Sequence, residues 1–399
     1  MKTVGIVVEY NPFHNGHLYH AQKAREAANA DVVIAVMSGH FLQRGEPALM
    51  NKWARTRMAL QNGVDLVVEL PYAFSTQKAE VFSFGAISIL KELACDSFCF
   101  GSENGQIDPF LDTFKTIKAA SRDLNPLIHS YMREGYSFPK AQTLARKQLF
   151  NDSLSLDLSM PNNILGYHYV QANDNLTEPM QPLTIKRQQA GYHDESLTSD
   201  SIASATGIRK EIEQSKHLST IEKFVPDSTL NELKQYHNEH QTFHSWKMYW
   251  PLLKYRLLSA SIEELQSMYE ITEGIEFRLK EAARHSTSFI DFMEKVKTKR
   301  YTWTRIQRML VHILTNTTKE EMEKAMASVR YIRLLGMNRH GREYMKSIKK
   351  EISLPLIARA AAHKDLLALD IKASDVYMQG AQTPSLINSE FTQPPILLP

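Results

Sequence analysis

Four short runs of β-branched and aliphatic residues punctuate the first hundred positions, with helical periodicity between them. The runs are TVGIVVEY (Thr3 to Tyr10), DVVIAVMS (Asp31 to Ser38), VDLVVELP (Val64 to Pro71) and DSFCFGS (Asp96 to Ser102). Each is too short for a buried helix and too continuously apolar for a strand with one wet face. Strands of this kind form a parallel sheet with helices over both faces. The stretches between them supply the helices: residues 17 to 29 are Ala-rich, Asn51 to Gly63 closes on an Asn-Gly stop, and residues 78 to 93 carry a third. The expected fold class is therefore α/β, with an N-terminal Rossmann-like sheet. Ligands of such sheets bind outside the carboxyl ends of the strands.

Residues 108 to 175 read as helical in pieces, Pro182 to Gln188 as one more short strand, and Ser199 to Gln214 as a polar start followed by a helix. From about residue 227 the periodicity is almost wholly helical: Asp227 to His237, Phe243 to Ser259, Ile262 to Tyr269, Gly274 to Arg284, Ser288 to Lys297, Arg300 to Leu314, Lys319 to Gly336 and Arg339 to Lys350. The tail from Leu354 is mixed, and QPPILLP reads as irregular. The expected organisation is a catalytic domain over residues 1–215 and an all-helical domain over 216–399, with the boundary near 215 to 226. A length of 399 residues has room for both. No run approaches the roughly 20 apolar residues of a membrane helix. Two cysteines, Cys95 and Cys99, cannot build a disulfide framework or a four-cysteine zinc site. The N-terminal apolar run is short and has no small-residue cleavage site behind it, so a cytoplasmic protein is expected.

The formal net charge is only +3, but residues 295 to 350 hold 15 Lys and Arg against 4 Asp and Glu. One reading is a solvated helical face. The other is a surface for a phosphate backbone. In KVKTKRYTWTRIQR (Lys295 to Arg308) cations alternate with aromatic rings, a pattern that suits RNA. Lys297, Lys299, Arg300, Arg305 and Arg308 are the candidate contacts.

Directly after the first strand stands His14-Asn15-Gly16-His17, an H-x-G-H pattern at a strand-to-helix junction. Glycine lets backbone approach a phosphate, and the free N–H groups of a helix start favour an anion. Two histidines three residues apart share that first turn, placed to donate to charge developing at an α-phosphorus. The plain alternative is a pair of loop histidines with Asn15 as a helix cap. A metal site of His14, His17 and His20 lacks a carboxylate in a ligating pattern, so no metal site is assigned. A second segment, SIASATGIR (Ser201 to Arg209), places hydroxyls at a helix start and an arginine one turn on, which makes a pyrophosphate clamp.

These two motifs resemble the HIGH-motif nucleotidyltransferase superfamily. VEYNPFHNGH (Val8 to His17), SGHFLQRGEPA (Ser38 to Ala48), VELPYAFS (Val68 to Ser75), FGSE (Phe100 to Glu103), PNNILGYHY (Pro161 to Tyr169), IKRQ…YHD (Ile185 to Asp194) and SIASATGIR together are similar to one family within it, the bacterial tRNA(Met) cytidine acetate ligases. The resemblance implies an ATP-dependent ligase that forms acetyl-adenylate from acetate. It would then acetylate the exocyclic amine of the wobble cytidine of elongator tRNA(Met). His14 and His17 would be catalytic. The implied ATP site holds Val7, Val8, Glu9, Tyr10, Asn11, Pro12, Phe13, His14, Asn15, Gly16, His17, Leu18, Tyr19 and His20, with Gly101, Asn162, Arg187, Gln188, Ser204, Thr206 and Arg209. ATP would enter with Mg2+; no membrane and no obligate protein partner is implied. The segment S-A-T-G-I-R departs from the superfamily's second motif, so which hydroxyl meets phosphate stays open.

Three rivals share parts of this pattern. A cofactor adenylyltransferase carries the first motif but has no use for the long helical half. A class I aminoacyl-tRNA synthetase would carry a K-M-S-K-S loop, and Met345-Lys346-Ser347 lies too far into the helical half to serve as one. A catalytically inactive RNA-binding relative would have no reason to keep both histidines, Gly16 and Arg209.

Overall fold

The computed structural model describes residues 1–151, 153–187, 202–215, 217–381 and 386–399. The expected strands form at β1 (Thr3–Val8), β2 (Val32–Ser38), β3 (Leu66–Leu70), β4 (Ser97–Ser102) and β5 (Gln181–Lys186). They lie in the order β5-β4-β1-β2-β3, all parallel. Every residue of β2 and β3 is buried, because helices cover both faces. The chain runs outward from β1 through β2 to β3, then returns to the other side of β1 for β4. That reversal opens a crevice at the carboxyl ends of β1 and β4.

Two helices follow directly from local chemistry. α1 (Asn15–Ala28) begins in a capping box made by His14 and His17, and ends at Asn29 in the left-handed region. α2 (Lys52–Gln61) begins where Asn51 Oδ1 accepts the Ala54 N–H at 2.9 Å. Residues 108 to 175 fold as the helices Asp108–Ala119, Ser121–Arg133, Phe138–Phe150 and Pro161–Asp174.

The C-terminal region is mainly helical, with corrections. The expected helix Lys319 to Gly336 is two elements: a helix Lys319–Met326 and a strand, β6 (Ile332–Met337). β6 pairs antiparallel with β3 and is buried along nearly its whole length. The open edge of β3 needs backbone partners, and this demand outweighs the helical preference of Leu and Met. β7 (Leu356–Ile357) and β8 (Ile396–Leu397) in turn pair with β6, so part of the tail expected to be irregular is sheet. The helix expected from Arg300 starts at Trp303, because Thr302 Oγ1 caps it.

The halves share their packing. Phe41, Trp53 and Tyr72 sit in the same apolar cluster as Tyr249, Leu253, Phe292 and Leu310. Beneath them lies a buried ionic cluster. Lys52 Nζ is 2.6 Å from Glu69 Oε2 and 2.7 Å from Glu390 Oε2, while Arg333 lies 3.4 Å from the other Glu390 oxygen. The cluster ties the last helix, Ser389–Thr392, to α2 and the sheet. No helix among the described residues is long and apolar enough to cross a membrane.

Candidate active site

A cavity of about 290 Å³ opens at the carboxyl ends of β1, β4 and β5, lined from these strands by Val7, Val8, Gly101 and Ile185. α1 starts at its floor. The Gly16 N–H donates to His14 Nδ1 at 3.0 Å, and the His14 N–H donates to His17 Nδ1 at 3.3 Å. Both Nδ1 atoms therefore act as acceptors, and a neutral ring of this kind carries its proton on Nε2. The two rings stack with centroids 3.7 Å apart, which fixes them as a unit. Burial, with Arg187 and Arg209 nearby, pushes the His14 pKa down to about 3. Burial and the neighbours His14 and Arg187 put His17 well below its usual value. Burial and Arg187 take His20 to about 4. Burial holds the three imidazoles neutral at pH 7, each with one N–H to donate and one ring nitrogen to accept.

Three arginines face them. Arg209 donates to Asn11 O and to Glu46 Oε2, both at 2.9 Å. Arg187 donates to Asn162 Oδ1 at 3.0 Å. Arg44 comes from the loop after β2. Asn162 opens the helix Pro161–Asp174, where Glu103 accepts from its Nδ2 at 2.7 Å and from Asn163 N at 2.9 Å. Burial raises the pKa of Glu9, and its Oε1 accepts the Gln43 N–H at 2.8 Å. Tyr10 Oη, Asn11 Nδ2 and His20 Nε2 are buried with no hydrogen-bond partner among the described residues. Buried polar atoms of this kind mark a place where a polar ligand completes the set.

The two sequence motifs meet here. A Cβ on Gly16 would come within 2.9 Å of the His14 ring, so glycine is what lets that ring fold back over the turn, and Ile202 of the second motif lies in ordinary contact range beyond it. Ser204 Oγ accepts the Gly207 N–H at 3.0 Å and caps the helix Ala205–Ser215. Thr206 and Arg209 follow on its pocket side. Ser201, Gln188 and the stretch Tyr192 to Asp194 lie outside the described residues.

Not every expected position reaches the cavity. Val7 to Asn11, His14, Gly16, His17, Tyr19, His20, Gly101, Asn162, Arg187, Ser204, Thr206 and Arg209 line it; Pro12, Phe13, Asn15 and Leu18 do not. Phe13 is fully buried and packs on Tyr10, and Asn15 Nδ2 turns away to Lys223 O. Gln43, Arg44, Glu46, Phe100, Leu165 and Tyr169 also line the cavity; they stand in segments that carry the family resemblance but were not expected in the site. The loop after β2 was findable, since it leaves the strand next to β1 at the carboxyl edge. Its anchor is Arg55 of α2, fully buried, which donates to Glu9 O at 2.7 Å, Ser38 O at 3.0 Å, Met50 O at 3.1 Å and to Gly39 O.

The basic segment is elsewhere. Lys297, Lys299 and Arg300 are at the surface in the link before the helix Trp303–Leu314. Arg300 pairs with Glu273 at 2.8 Å. Arg305 lies over the Tyr301 ring and donates to Thr272 Oγ1 at 3.1 Å. Arg308 is 12% exposed and held by Glu270 at 2.9 Å.

Comparison with known proteins adds independent findings. The model of the HIGH nucleotidyl transferase family matches residues 1–390. The chain is 49% identical to a tRNA(Met) cytidine acetate ligase of Lysinibacillus sphaericus, over 99% of this chain and 100% of that one. It is 47% identical to the enzyme of that name from Bacillus subtilis, over 98% and 95% of the two chains. The apo crystal structure of Thermotoga maritima TmcAL superposes with a TM-score of 0.94 at 32% identity, covering 100% of both chains. The same protein bound with alpha-thio ATP gives 0.92 at 31% identity, again over 100% of both.

Proposed function

The chain belongs to the tRNA(Met) cytidine acetate ligases among the HIGH nucleotidyl transferases, and from that premise we propose how its own residues carry the reaction. The cavity at the β1/β4 crevice binds ATP, in keeping with the alpha-thio ATP complex of the Thermotoga protein. Acetate, already ionised at pH 7, attacks the α-phosphorus, and pyrophosphate leaves. This step needs no general base. It needs donors aimed at the charge that builds on the phosphate oxygens. His14 and His17, Arg209 and Arg187 are those donors, with Arg44 beside the leaving pyrophosphate. The observation that carries this reading is the stacked, capped pair His14–His17, neutral and fixed at the start of α1.

Magnesium would arrive on the triphosphate oxygens. The carboxylates at hand, Glu9 and Glu46, are engaged by Gln43 N and Arg209, so we assign the ion no protein ligand. In the second step the cytosine amine attacks the acetyl carbonyl carbon. The new C–N bond forms, the C–O bond to phosphate breaks, AMP leaves with the electron pair, and the nitrogen sheds a proton to the departing phosphate. A conjugated amine is a weak nucleophile, which is why a mixed anhydride is required.

The target base must be turned out of the anticodon loop of elongator tRNA(Met) to reach the cavity. Lys297, Lys299, Arg300 and Arg305 would hold the RNA backbone, in a cytoplasmic enzyme. Residues 1–215 would then supply the adenylation chemistry and 216–399 most of the tRNA surface. The test is acetate-dependent ATP–pyrophosphate exchange without tRNA, with acetyl-AMP identified directly. Exchange that ignores acetate, or that requires tRNA, would sink the ordering of steps.

A further inference from the structure

A second, larger cavity adjoins the nucleotide cavity. It measures about 710 Å³ and shares the wall residues Gln43, Arg44, Asn162 and Leu165 with it. Its walls are the four helices between Asp108 and Asp174, among which only Asn162 was expected in a site, and the start of the helix Ala79–Glu92. The facing wall is Thr304 and Arg308 of the basic segment. The groove thus lies between the nucleotide cavity and the segment of the chain richest in positive charge.

Its lining suits a nucleobase with its backbone. Ile117, Leu124, Ile128 and Ile164 give it apolar walls backed by the buried rings of Phe114 and Tyr167, and Phe138 supplies an open ring. Phe138 is 42% exposed, a large apolar group left open at the rim. A ring left open in this way can stack on a splayed base. Lys78, Lys118, Arg146 and Arg308 outnumber Glu80 among the charges. Lys78, Lys118 and Arg308 already have carboxylate partners: Glu80, Asp174 and Glu270. Arg146 differs. Its Nε is buried with no partner, and no carboxylate lies within ion-pair distance of it among the described residues. Arg146 is half-buried, with its Nε turned away from water and unpaired, and a fitting anionic ligand would complete it.

We propose that this groove is the acceptor site, taking the target pyrimidine and its flanking nucleotides, with Arg146 binding an RNA phosphate or the base edge. The proposal rests on the function assigned above and adds where the RNA enters: along the helices Asp108 to Asp174, not only over the C-terminal basic link. Arg146→Met removes the charge and keeps much of the stem. It should lower kcat/KM for tRNA acetylation by about tenfold or more, the loss expected for a charge-assisted hydrogen bond. Arg146→Lys should restore part of it. Acetate-dependent ATP–pyrophosphate exchange should stay within about twofold, since Arg146 does not line the ATP cavity. Unchanged acetylation in a folded Arg146→Met protein would overturn the proposal.

A second measurement needs no variant. tRNA carrying 4-thiouridine at the target position is photo-crosslinked to the unaltered enzyme and the peptide is mapped. Crosslinks within residues 108–174 support the groove; crosslinks confined to other segments, or none while tRNA is bound, refute it. Failure of the underlying function looks different. Exchange that does not depend on acetate in the unaltered enzyme would remove the assigned reaction, while the crosslink would still decide whether the groove holds RNA.

Discussion

Replacing His14 by asparagine separates two tasks that one imidazole performs. As N-cap of α1, His14 Nδ1 accepts the Gly16 N–H at 3.0 Å. As a proposed phosphate donor it uses the proton on Nε2. Asparagine is among the best N-caps, and its side-chain oxygen can take over the acceptor task. It has nothing at the Nε2 position. Alanine loses both. The stability terms can be estimated. A lost cap costs about 0.5–2 kcal/mol, and loss of the ring stack on His17 about 0.5–1.5 kcal/mol. His14→Ala should therefore unfold at clearly lower denaturant than wild type, and His14→Asn should lie closer to wild type because only the stack is gone. Exchange should behave differently. One preorganised donor is worth about 100- to 1000-fold in rate, so both variants should lose acetate-dependent ATP–pyrophosphate exchange by at least about 100-fold. tRNA affinity should hold, because Lys297, Lys299, Arg300 and Arg305 lie outside the ATP cavity. Urea titrations followed by circular dichroism and a pyrophosphate-exchange assay read the two effects separately. If His14→Asn recovered exchange to within about fivefold of wild type, the ring would be a cap and nothing more.

Reversal of Lys297, Lys299 and Arg300 to Glu should weaken tRNA binding and flatten its log–log salt dependence by roughly one unit for each phosphate no longer neutralised, with exchange unchanged; an unaltered salt slope would place the RNA backbone elsewhere. Lys52→Met strands Glu69 and Glu390 in the interior and should cost about 3–5 kcal/mol, measured as a fall in the urea midpoint; a loss under about 1 kcal/mol would mean that the cluster relaxes or protonates at little cost. Stability should also fall with acid earlier than carboxylates alone would dictate. Burial lowers His14, His244 and His312 to about 3 and His20 to about 4, so between the unfolded value near 6.5 and those values the unfolded chain binds more protons. Their contribution is complete above about pH 6.5 and drains away as pH drops toward 4, by up to about 1.4 kcal/mol per pH unit for each group. A urea midpoint that is constant from about pH 7 to 5 would contradict this.

The parallel sheet was legible because β2, and β3 apart from Glu69, are apolar on both faces, a pattern that no half-wet strand shares. The switch at β1 and β4 was only implied, since strand order is not written in periodicity. The first motif was equally readable: a strand, a tight glycine turn and a helix start are neighbours in sequence, so local chemistry alone aims two histidines at one point. β6 was not. Its sequence IRLLGM has helical preference, and only the unpaired edge of β3, distant in the chain, makes it a strand. The same holds for Arg308, which in sequence is one of a row of cations and in the fold is held by Glu270.

Composition, strand pattern and the two phosphate motifs thus determined the fold class and the kind of chemistry, because these rest on residues close together along the chain. Tertiary structure decided which side chains share a cavity: Arg44 and Glu46 from the loop after β2, Arg187 after β5, Arg209 from a later helix, and Arg146 in the groove beyond them. These side chains come from segments far apart along the chain. They meet only because the crossover connections bring the strand ends to one edge, and neither spacing nor propensity encodes a distance between residues that the sheet alone makes neighbours.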